Sequence, residues 1–206
     1  MIGEPVIGNP QPSATPQDAF LLAQAAVLRG DWEGFFPLIV HEDLERLAQR
    51  GVMATTCTDG SCFRGVCLEH GITVTDLDHL QHLAQQVSSS AERILHGAGL
   101  DAEGALLHAM GHRELVRAQA AALATCVESI DGLASFVATA EHLRRELDGA
   151  GSISSTIFLD EALLDVAVTE NRAIGIRRRL LGIDEPITFE RCRGSWQIQL
   201  FDDPPA

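Results

Sequence analysis

The sequence has too little positive charge for a protein that binds nucleic acid. Its 15 Lys and Arg residues stand against 29 Asp and Glu residues in a chain of 206, which gives a formal net charge of −14. Contacts to a phosphate backbone require clustered Lys and Arg. The run Arg177-Arg178-Arg179 is short and lies on a predicted strand, so we expect it to be solvated or ion-paired surface.

Tyrosine is absent, and so are long apolar runs and a secretory signal. No apolar stretch approaches the length needed to cross a bilayer. The N-terminal MIGEPVIGNPQPSATP lacks a basic region followed by an apolar run. Five cysteines cannot all pair within one chain. We therefore expect a cytoplasmic protein with reduced thiols and no membrane partner.

Common sequence motifs of nucleotide-binding, hydrolase and calcium sites are also missing from the sequence. It contains no phosphate-binding glycine-rich loop, no G-x-S-x-G, no EF-hand loop and no dinucleotide fingerprint. A nucleotide-dependent enzyme is therefore disfavoured and no organic cofactor is predicted. The length fits a single domain, or a domain with a large insertion, that is large enough to bury a core without metals or disulfides.

The strongest pattern that is present lies near the C-terminus. Apolar and polar residues alternate through Ile187–Cys192 and Ser195–Leu200, and Arg193-Gly194 forms a two-residue turn between them. This register places Phe189 opposite Ile198, so the apolar side chains share one face. It also places Ile187 opposite Leu200.

A second hairpin is predicted just before the first. Leu164, Val166 and Val168 alternate with polar or small residues, and Glu170-Asn171-Arg172 is read as a three-residue turn. Val168 should then face Ile174, and Val166 should face Ile176. Ile153–Phe158 is a candidate for a further strand. The sequence thus predicts an α+β fold with an antiparallel meander of three or four strands over 152–201, covered by N-terminal helices.

The remainder of the chain is predicted to be mostly helical. We expect a flexible arm over 1–14, followed by one domain over 15–206. Within that domain, 15–51 is helical, with Thr15 and Asp31 as N-caps and Gly30 as a stop. Residues 52–74 are predicted to form a Cys-containing hairpin or loop around Asp59-Gly60, and 75–149 a helical insertion of three helices.

Two phrases at the ends of the chain resemble the nuclear transport factor 2-like superfamily, a cone-shaped α+β roll. Thr15-Pro16-Gln17-Asp18-Ala19-Phe20 followed by Leu28-Arg29-Gly30-Asp31-Trp32 is similar to the opening helix of that family. Glu190-Arg191-Cys192-Arg193-Gly194-Ser195-Trp196-Gln197-Ile198 is similar to its closing hairpin. The helices of 75–149 are an addition to the family's usual pattern.

The resemblance implies a small-molecule pocket between sheet and helices, and often a homodimer built on the other face of the sheet. Its members include isomerases, dehydratases, polyketide cyclases and binding modules without chemistry, so the fold does not choose among them. The pocket candidates are Phe20, Trp32, Phe189, Arg191 and Trp196. The candidates for acid/base chemistry are His41, Asp43 and Arg191. By alternation, Arg191 shares the apolar face with Phe189 and Trp196, where a buried arginine needs a carboxylate or a ligand anion. The favoured alternative is that Arg191 lies at the open end of the sheet near water.

One cluster of thiols has a spacing that could suit a metal. Three thiols and an imidazole within fourteen residues could close a tetrahedral site for zinc or another divalent metal, namely Cys57, Cys62, Cys67 and His70. A disulfide between Cys57 and Cys62 across the predicted hairpin is an alternative. Partly buried free thiols are a third and favoured interpretation.

A second metal candidate uses histidines on helices. His108 and His112 are four residues apart and share one helix face, and His79 and His82 lie three apart on the preceding helix. Asp78 and Glu114 are nearby carboxylates in the sequence. The alternative is that these histidines satisfy hydrogen bonds within the structure.

Three functional hypotheses follow from these patterns. The first is a small-molecule-binding roll, with or without acid/base chemistry, and it predicts an apolar cavity between the sheet and the first helix. The second is a helical dimerisation or interaction protein, to be tested with Leu80→Asp and Leu133→Asp. The third is a metal protein that uses the cysteine or the histidine cluster.

Overall fold

A computed structural model describes residues 13–57, 60–96, 102–148, 158–179 and 182–201. It confirms an α+β fold whose four strands form one antiparallel sheet at the C-terminal end, in the order β1-β2-β3-β4. The elements are α1 Pro16–Arg29, α2 Trp32–Phe35, a 3-10 turn Phe36–Leu38, α3 His41–Ala54, α4 Ser61–Glu69, α5 Val74–His96, α6 Ala102–Glu128, α7 Leu133–Asp148, β1 Ala162–Thr169, β2 Arg172–Arg178, β3 Asp184–Cys192 and β4 Ser195–Gln199.

The chain divides into two compact units. One unit consists of Met1–Leu44 together with Arg144–Ala206, and it contains α1, α2 and the whole sheet. The other is Glu45–Leu143, which contains α4, α5, α6 and most of α3 and α7. We refer to them as the sheet unit and the helical unit.

The predicted ends of the first helices are confirmed. Thr15 caps α1 by accepting a hydrogen bond from the Asp18 backbone N–H, and the Asp18 carboxylate accepts one from the Thr15 N–H. Gly30 ends the helix in the left-handed conformation at φ 67°. Asp31 then caps α2 through the Gly34 N–H.

The last hairpin also has the predicted register. Phe189 pairs with Ile198, and Cys192 pairs with Ser195 across the two-residue turn Arg193-Gly194. The edge of β4 is covered, because Ser13 accepts a hydrogen bond from the Trp196 N–H and Val40 donates one to the Ile198 carbonyl. Residues 1–12 of the predicted arm lie outside the described residues, whereas Ser13 is buried and bonded to this strand.

The predicted register of the β1–β2 hairpin is wrong by one residue. Val168 pairs with Ala173 instead of Ile174, because the turn has two residues and Glu170 adopts a positive φ of 37°. A bulge between Leu164 and Ala167 then shifts the phase of β1, so Ile176 pairs with Leu164 instead of Val166. The proposed strand Ile153–Phe158 falls almost entirely outside the described residues, and Phe158 itself lies in a turn.

The predicted hairpin around Asp59-Gly60 is wrong, because the chain enters α4 directly after Gly60. Gly60 has φ −76° and not the positive φ that a tight hairpin turn needs. It is required for another reason, since a Cβ at this position would lie 2.4 Å from the Ala54 carbonyl oxygen. α3 likewise continues to Ala54, past the predicted helical segment 15–51, and Gly51 makes room for the Phe136 ring. Residues 58–59 lie outside the described residues.

The core of the helical unit is made by one face of each helix. α5 begins at Val74, where the Thr73 hydroxyl caps the Asp76 N–H, and Leu77 and Leu80 are fully buried. Because the Leu80 side chain is buried, Leu80→Asp would unfold the unit and does not report on assembly. α5 and α6 are joined by five residues and pack along each other, which makes them an antiparallel helical hairpin.

Candidate functional site

The aromatic residues predicted to line a cavity pack against one another inside the sheet unit. Phe20 on α1 meets the Phe158 ring edge-on at 5.4 Å between centroids, and Phe35 lies 5.9 Å from Phe158. The Trp32 ring contacts Phe35 and is covered by the Arg145 guanidinium at 3.8 Å. The described side chains therefore form a packed aromatic core where the cavity was expected.

The two aromatic candidates on the sheet belong to the same core. Phe189 is fully buried and Trp196 is 4% exposed. Both lie on the sheet face that also carries Ala173, Ile187 and Ile198. Their burial accounts for the strict alternation of β3 and β4, which does not require a ligand.

Arg191 lies at the open end of this face, with its side chain exposed. Its backbone N–H donates to the Asn171 carbonyl at 2.7 Å, which ties the end of β3 to the β1–β2 turn. Around this point is an open depression of about 780 Å³, lined by Thr169, Glu170, Asn171, Arg172, Glu190 and Arg191. Of the five predicted pocket residues, Arg191 is the one that lines this depression.

Asp43 and His41 lie in the first turn of α3. Asp43 is 1% exposed, and its Oδ2 accepts hydrogen bonds from the backbone N–H groups of Leu200 and Phe201. A buried carboxylate that holds two backbone amides joins the end of β4 to α3. His41 is exposed on the same turn. Asp43 is thus committed to the fold, although its residue type alone also suited an acid/base role.

The four residues of the cysteine cluster have different surroundings in the helical unit. Cys57 and Cys62 are exposed free thiols, whereas Cys67 is buried. His70 follows α4, and its Nδ1 lies 3.1 Å from the Asp131 carbonyl oxygen while its ring meets Phe136 edge-on. His70 therefore links the end of α4 to the loop between α6 and α7.

The buried thiols of the helical unit, Cys67 and Cys126, are held in the protonated form. Burial, with a smaller contribution from the nearby Cys126, raises the pKa of the Cys67 thiol to about 12 against the opposing effect of Arg64. Burial also raises the pKa of Cys126, with a smaller contribution from Asp76. The thiolate is the reactive form, so both side chains are inert in the folded protein.

We predict that a thiol reagent at neutral pH modifies three of the five cysteines in the native protein. Cys57 and Cys62 should react first, followed by Cys192, whose pKa is raised by partial burial and by the carboxylates of Glu190 and Glu42. Cys67 and Cys126 should react only after denaturant is added. A colorimetric thiol titration checks this, and rapid modification of all five in native buffer would contradict the burial of Cys67 and Cys126.

The histidine candidates lie on two sides of the helical hairpin. His79 and His82 are exposed on α5, and His82 bonds Gln86, whereas His108 and His112 are half-buried on α6. The two candidate carboxylates have arginine partners at 2.6 Å, namely Arg64 for Asp78 and Arg117 for Glu114. Across the described ranges, no three His, Cys, Asp or Glu side chains are grouped so as to hold a metal ion.

A buried ionic network that sequence reasoning missed lies at the other end of the sheet. The Glu161 carboxylate is 3% exposed and lies 3.8 Å from Arg177 and 3.5 Å from Arg179. Both arginines bond Glu185 at 2.8 and 3.0 Å, and Arg178 pairs with Asp184. The expectation that the arginine run is ion-paired is therefore confirmed. No alternation pattern marked Glu161, because it precedes β1.

Burial dominates the electrostatics of Glu161. Desolvation raises the pKa of its carboxyl above the ordinary value of 4.5, more than the two arginines lower it. Its Oε2 lacks a hydrogen-bond partner among the described residues. Since folding favours the protonated form, the contribution of Glu161 to stability is fully present below pH 4.5 and is lost as the pH rises through the folded-state pKa.

We predict that Glu161→Gln changes the pH dependence of stability in a defined direction. Relative to the variant, the wild-type protein should lose stability as the pH rises above the ordinary carboxyl pKa of 4.5. Urea unfolding of both proteins across that range measures the difference, and Glu170→Gln on the exposed β1–β2 turn controls for the loss of one charge. A wild-type advantage that grows with pH would show that the arginine attraction outweighs desolvation.

The most unusual surface of the helical unit is apolar. Five large side chains are exposed on either side of the α5–α6 connection, with exposed fractions of 81% for Leu95, 62% for Leu107, 61% for Leu106, 55% for Met110 and 41% for Ile94. We call this group the apolar tip. An antiparallel hairpin brings the end of α5 and the start of α6 to the same end of the hairpin, so the five residues all lie near that end. The spacing of apolar residues by three and four along α5, from Leu77 to Ile94, predicts one buried seam, and the structure corrects this prediction at Ile94.

The chain has no match among family models, curated proteins or solved structures. Among the described residues, no single helix is long and apolar enough to cross a membrane. One bent pair of helices, Gly104–Glu128 with Leu133–Leu147, meets the length and composition requirement when taken together. The resemblance to the nuclear transport factor 2-like superfamily stays a prediction.

Proposed function

We propose that this chain is a protein–protein interaction module and that the apolar tip is its binding surface. The observation that carries the proposal is the grouping of five large apolar side chains, each at least 41% exposed, at one end of a helical hairpin. Contiguous apolar surface of this kind on a folded protein is typical of interaction sites. Burying one such side chain in an interface contributes about 1.5–3 kcal/mol.

The position of the tip supports this choice. Leu21 and Leu28 on α1 are also exposed, but they lie two turns apart on a single helix. At the tip, Leu106, Leu107 and Met110 occupy adjacent positions, and the exposed end of α5 adds to them. The core of the hairpin does not need these side chains, because Leu77, Leu80 and Leu83 already supply buried contacts from α5.

Charge favours a protein partner over a lipid surface. The chain has a net charge of −14, and every one of its 15 basic residues is an arginine spread over the whole sequence. Helices that lie on membranes combine their apolar face with rows of Lys and Arg that attract anionic headgroups. Near the tip, Arg113 and Arg117 flank Glu114, which leaves no basic row.

Site-specific photo-crosslinking tests the proposal. A benzoylphenylalanine replacing Leu107 should give one discrete crosslinked protein band in cells that express the chain at its native level. The matched control is the same group at Gln81, which is exposed on the polar side of α5 and should give none. A chain that crosslinks to no protein from position 107 would contradict the proposal. The proposal would also be contradicted if the wild-type protein bound phosphatidylcholine vesicles and the variant Leu106→Ser/Leu107→Ser did not.

The depression around Arg191 supports a second candidate function, the binding of a small organic ion. Its walls carry two arginines, Arg172 and Arg191, and two carboxylates, Glu170 and Glu190. Groups of both signs suit a zwitterion whose carboxylate contacts an arginine. This candidate keeps the ligand-binding role that the family resemblance implies, but moves it from the interior to the end of the sheet.

A titration with glutamate as probe tests the second candidate by amide NMR. The signals of Asn171 and Arg172 should shift in the wild-type protein and in Arg193→Gln, since Arg193 lies on the β3–β4 turn outside the depression. They should not shift in Arg191→Gln. Equal shifts in all three proteins, or none in any, would remove this candidate.

A further inference from the structure

We propose that the partner of the apolar tip is a second copy of this chain, bound through α6 in antiparallel fashion about a two-fold axis between Arg113 and Glu114. This inference rests on the proposed function and adds to it the identity of the partner and the register of the contact. Three features of α6 support it, namely its outward side, the order of residues along that side and its local charge.

The outward side of α6 can be read from exposure. The half-buried residues recur at helical spacing on one side, namely His108, His112, Leu115 and Gln119, and the Gln119 amide lies 4.0 Å from the Met53 sulfur of α3. The opposite side is exposed along its length and carries Leu106, Leu107, Met110, Arg113, Glu114, Arg117, Ala118, Ala120, Ala121 and Ala124. This outward stripe is the part of α6 that a second helix can contact.

The order of residues along the stripe is self-complementary. Large apolar side chains occupy its first part, from Leu106 to Met110. Charged residues of both signs occupy the middle, from Arg113 to Arg117. Alanines occupy the last part, from Ala118 to Ala124. Two such helices that run in opposite directions therefore place the bulky part of each against the small part of the other, which is the pairing that close packing favours.

The register follows from this order. With the axis between Arg113 and Glu114, Leu106 of one copy faces Ala121 of the other, and Leu107 faces Ala120. Met110 faces the aliphatic part of Arg117. Arg113 of each copy meets Glu114 of the other, so the ion pair occurs twice, as an isologous contact requires. Glu114 already accepts from Arg117 at 2.6 Å within its own helix, which orients the carboxylate at the centre of the stripe.

Local charge permits the contact although the whole chain is strongly acidic. The helix α6 contains two Arg and three Glu, which gives a net charge of −1 in a chain of −14. Two copies would repel each other across most of their surfaces, and α6 is a region where that repulsion is weak. A partner of opposite overall charge would instead be expected to bind where the acidic residues lie.

A charge-swap cycle measured by sedimentation equilibrium tests the inference. The wild-type mass should be about twice the 22.2 kDa of the chain. Arg113→Glu and Glu114→Arg should each weaken the dimer by about tenfold or more, because each places like charges across the axis. The double variant Arg113→Glu/Glu114→Arg should restore the affinity to within about threefold of the wild type. Gln81→Glu, on the exposed side of α5, controls for a change of charge alone.

The outcomes separate this inference from the proposed function. A double variant as weak as the single variants, or single variants as tight as the wild type, would overturn the antiparallel register. A monomeric wild type combined with a crosslink from position 107 to a different protein would overturn the second copy as partner and leave the interaction module standing. Circular dichroism of each variant distinguishes a loss of folding from a loss of assembly.

Discussion

Asp43→Ala is expected to lower the free energy of unfolding by about 3 kcal/mol. The Asp43 carboxylate is buried and accepts the backbone N–H groups of Leu200 and Phe201, so its removal leaves two amides without their partner. It also releases the end of β4 from the first turn of α3. Urea unfolding followed by circular dichroism measures the loss.

Glu42→Ala is the control for this prediction. Glu42 lies on the same helical turn but is exposed, so its replacement should change stability by less than about 0.5 kcal/mol. If Asp43→Ala lowered the free energy of unfolding as little as the control does, the hydrogen bonds from Leu200 and Phe201 to Asp43 would not exist in solution. Asp43 would then be available again for the acid/base role that its residue type suggests.

Phe20→Ala is expected to cost about 4 kcal/mol, because the ring is 2% exposed and packs on Phe158. The loss combines the transfer free energy of the ring with the cavity that it leaves between α1 and the sheet. A residue that lines an open ligand pocket would cost much less, since its ring would already contact solvent. Thermal or urea unfolding therefore distinguishes a packed interior from a pocket.

Leu21→Ala provides the matched control on the neighbouring residue. Leu21 is 59% exposed, and its truncation should cost less than about 0.5 kcal/mol. If the two variants had equal stability, the aromatic core of the sheet unit would be loose, and the interior pocket implied by the family resemblance would regain support.

The parts of the fold that could be predicted from the sequence are those that local chemistry decides. Thr15 and Gly30 mark the ends of α1 because a cap and a left-handed stop act within a few residues. The pairing of Phe189 with Ile198 follows from alternation on both strands together with a two-residue turn. In each case two independent local signals agree.

The parts that could not be predicted depend on contacts distant in sequence. The pair Asp59-Gly60 has the composition of a hairpin turn. Gly60 is needed for a different reason, because the Ala54 carbonyl approaches it closely. The register of β1 against β2 depends on a bulge near Asp165, where φ is 49°. Neither feature changes the alternation of apolar and polar residues in the sequence, so the alternation rule predicted the wrong strand-pairing partners.

For the candidate site residues, too, contacts distant in sequence decided what could not be predicted. Residue type selected Asp43 and His70 as candidates for chemistry, but in the structure they hold backbone groups of β4 and of the loop before α7. The apolar tip was missed because a helical seam was assumed to continue through Ile94. A second apolar group on α6, at Leu106, Leu107 and Met110, was the signal that could have revealed it.

The central claim is that this molecule acts through the outside of its helical hairpin, and one variant tests it most directly. Leu106→Ser/Leu107→Ser should retain the wild-type free energy of unfolding to within about 1 kcal/mol, because both side chains are exposed. Its mass by sedimentation should fall from about twice 22.2 kDa to 22.2 kDa. A variant that keeps both the stability and the assembly of the wild type would contradict the claim.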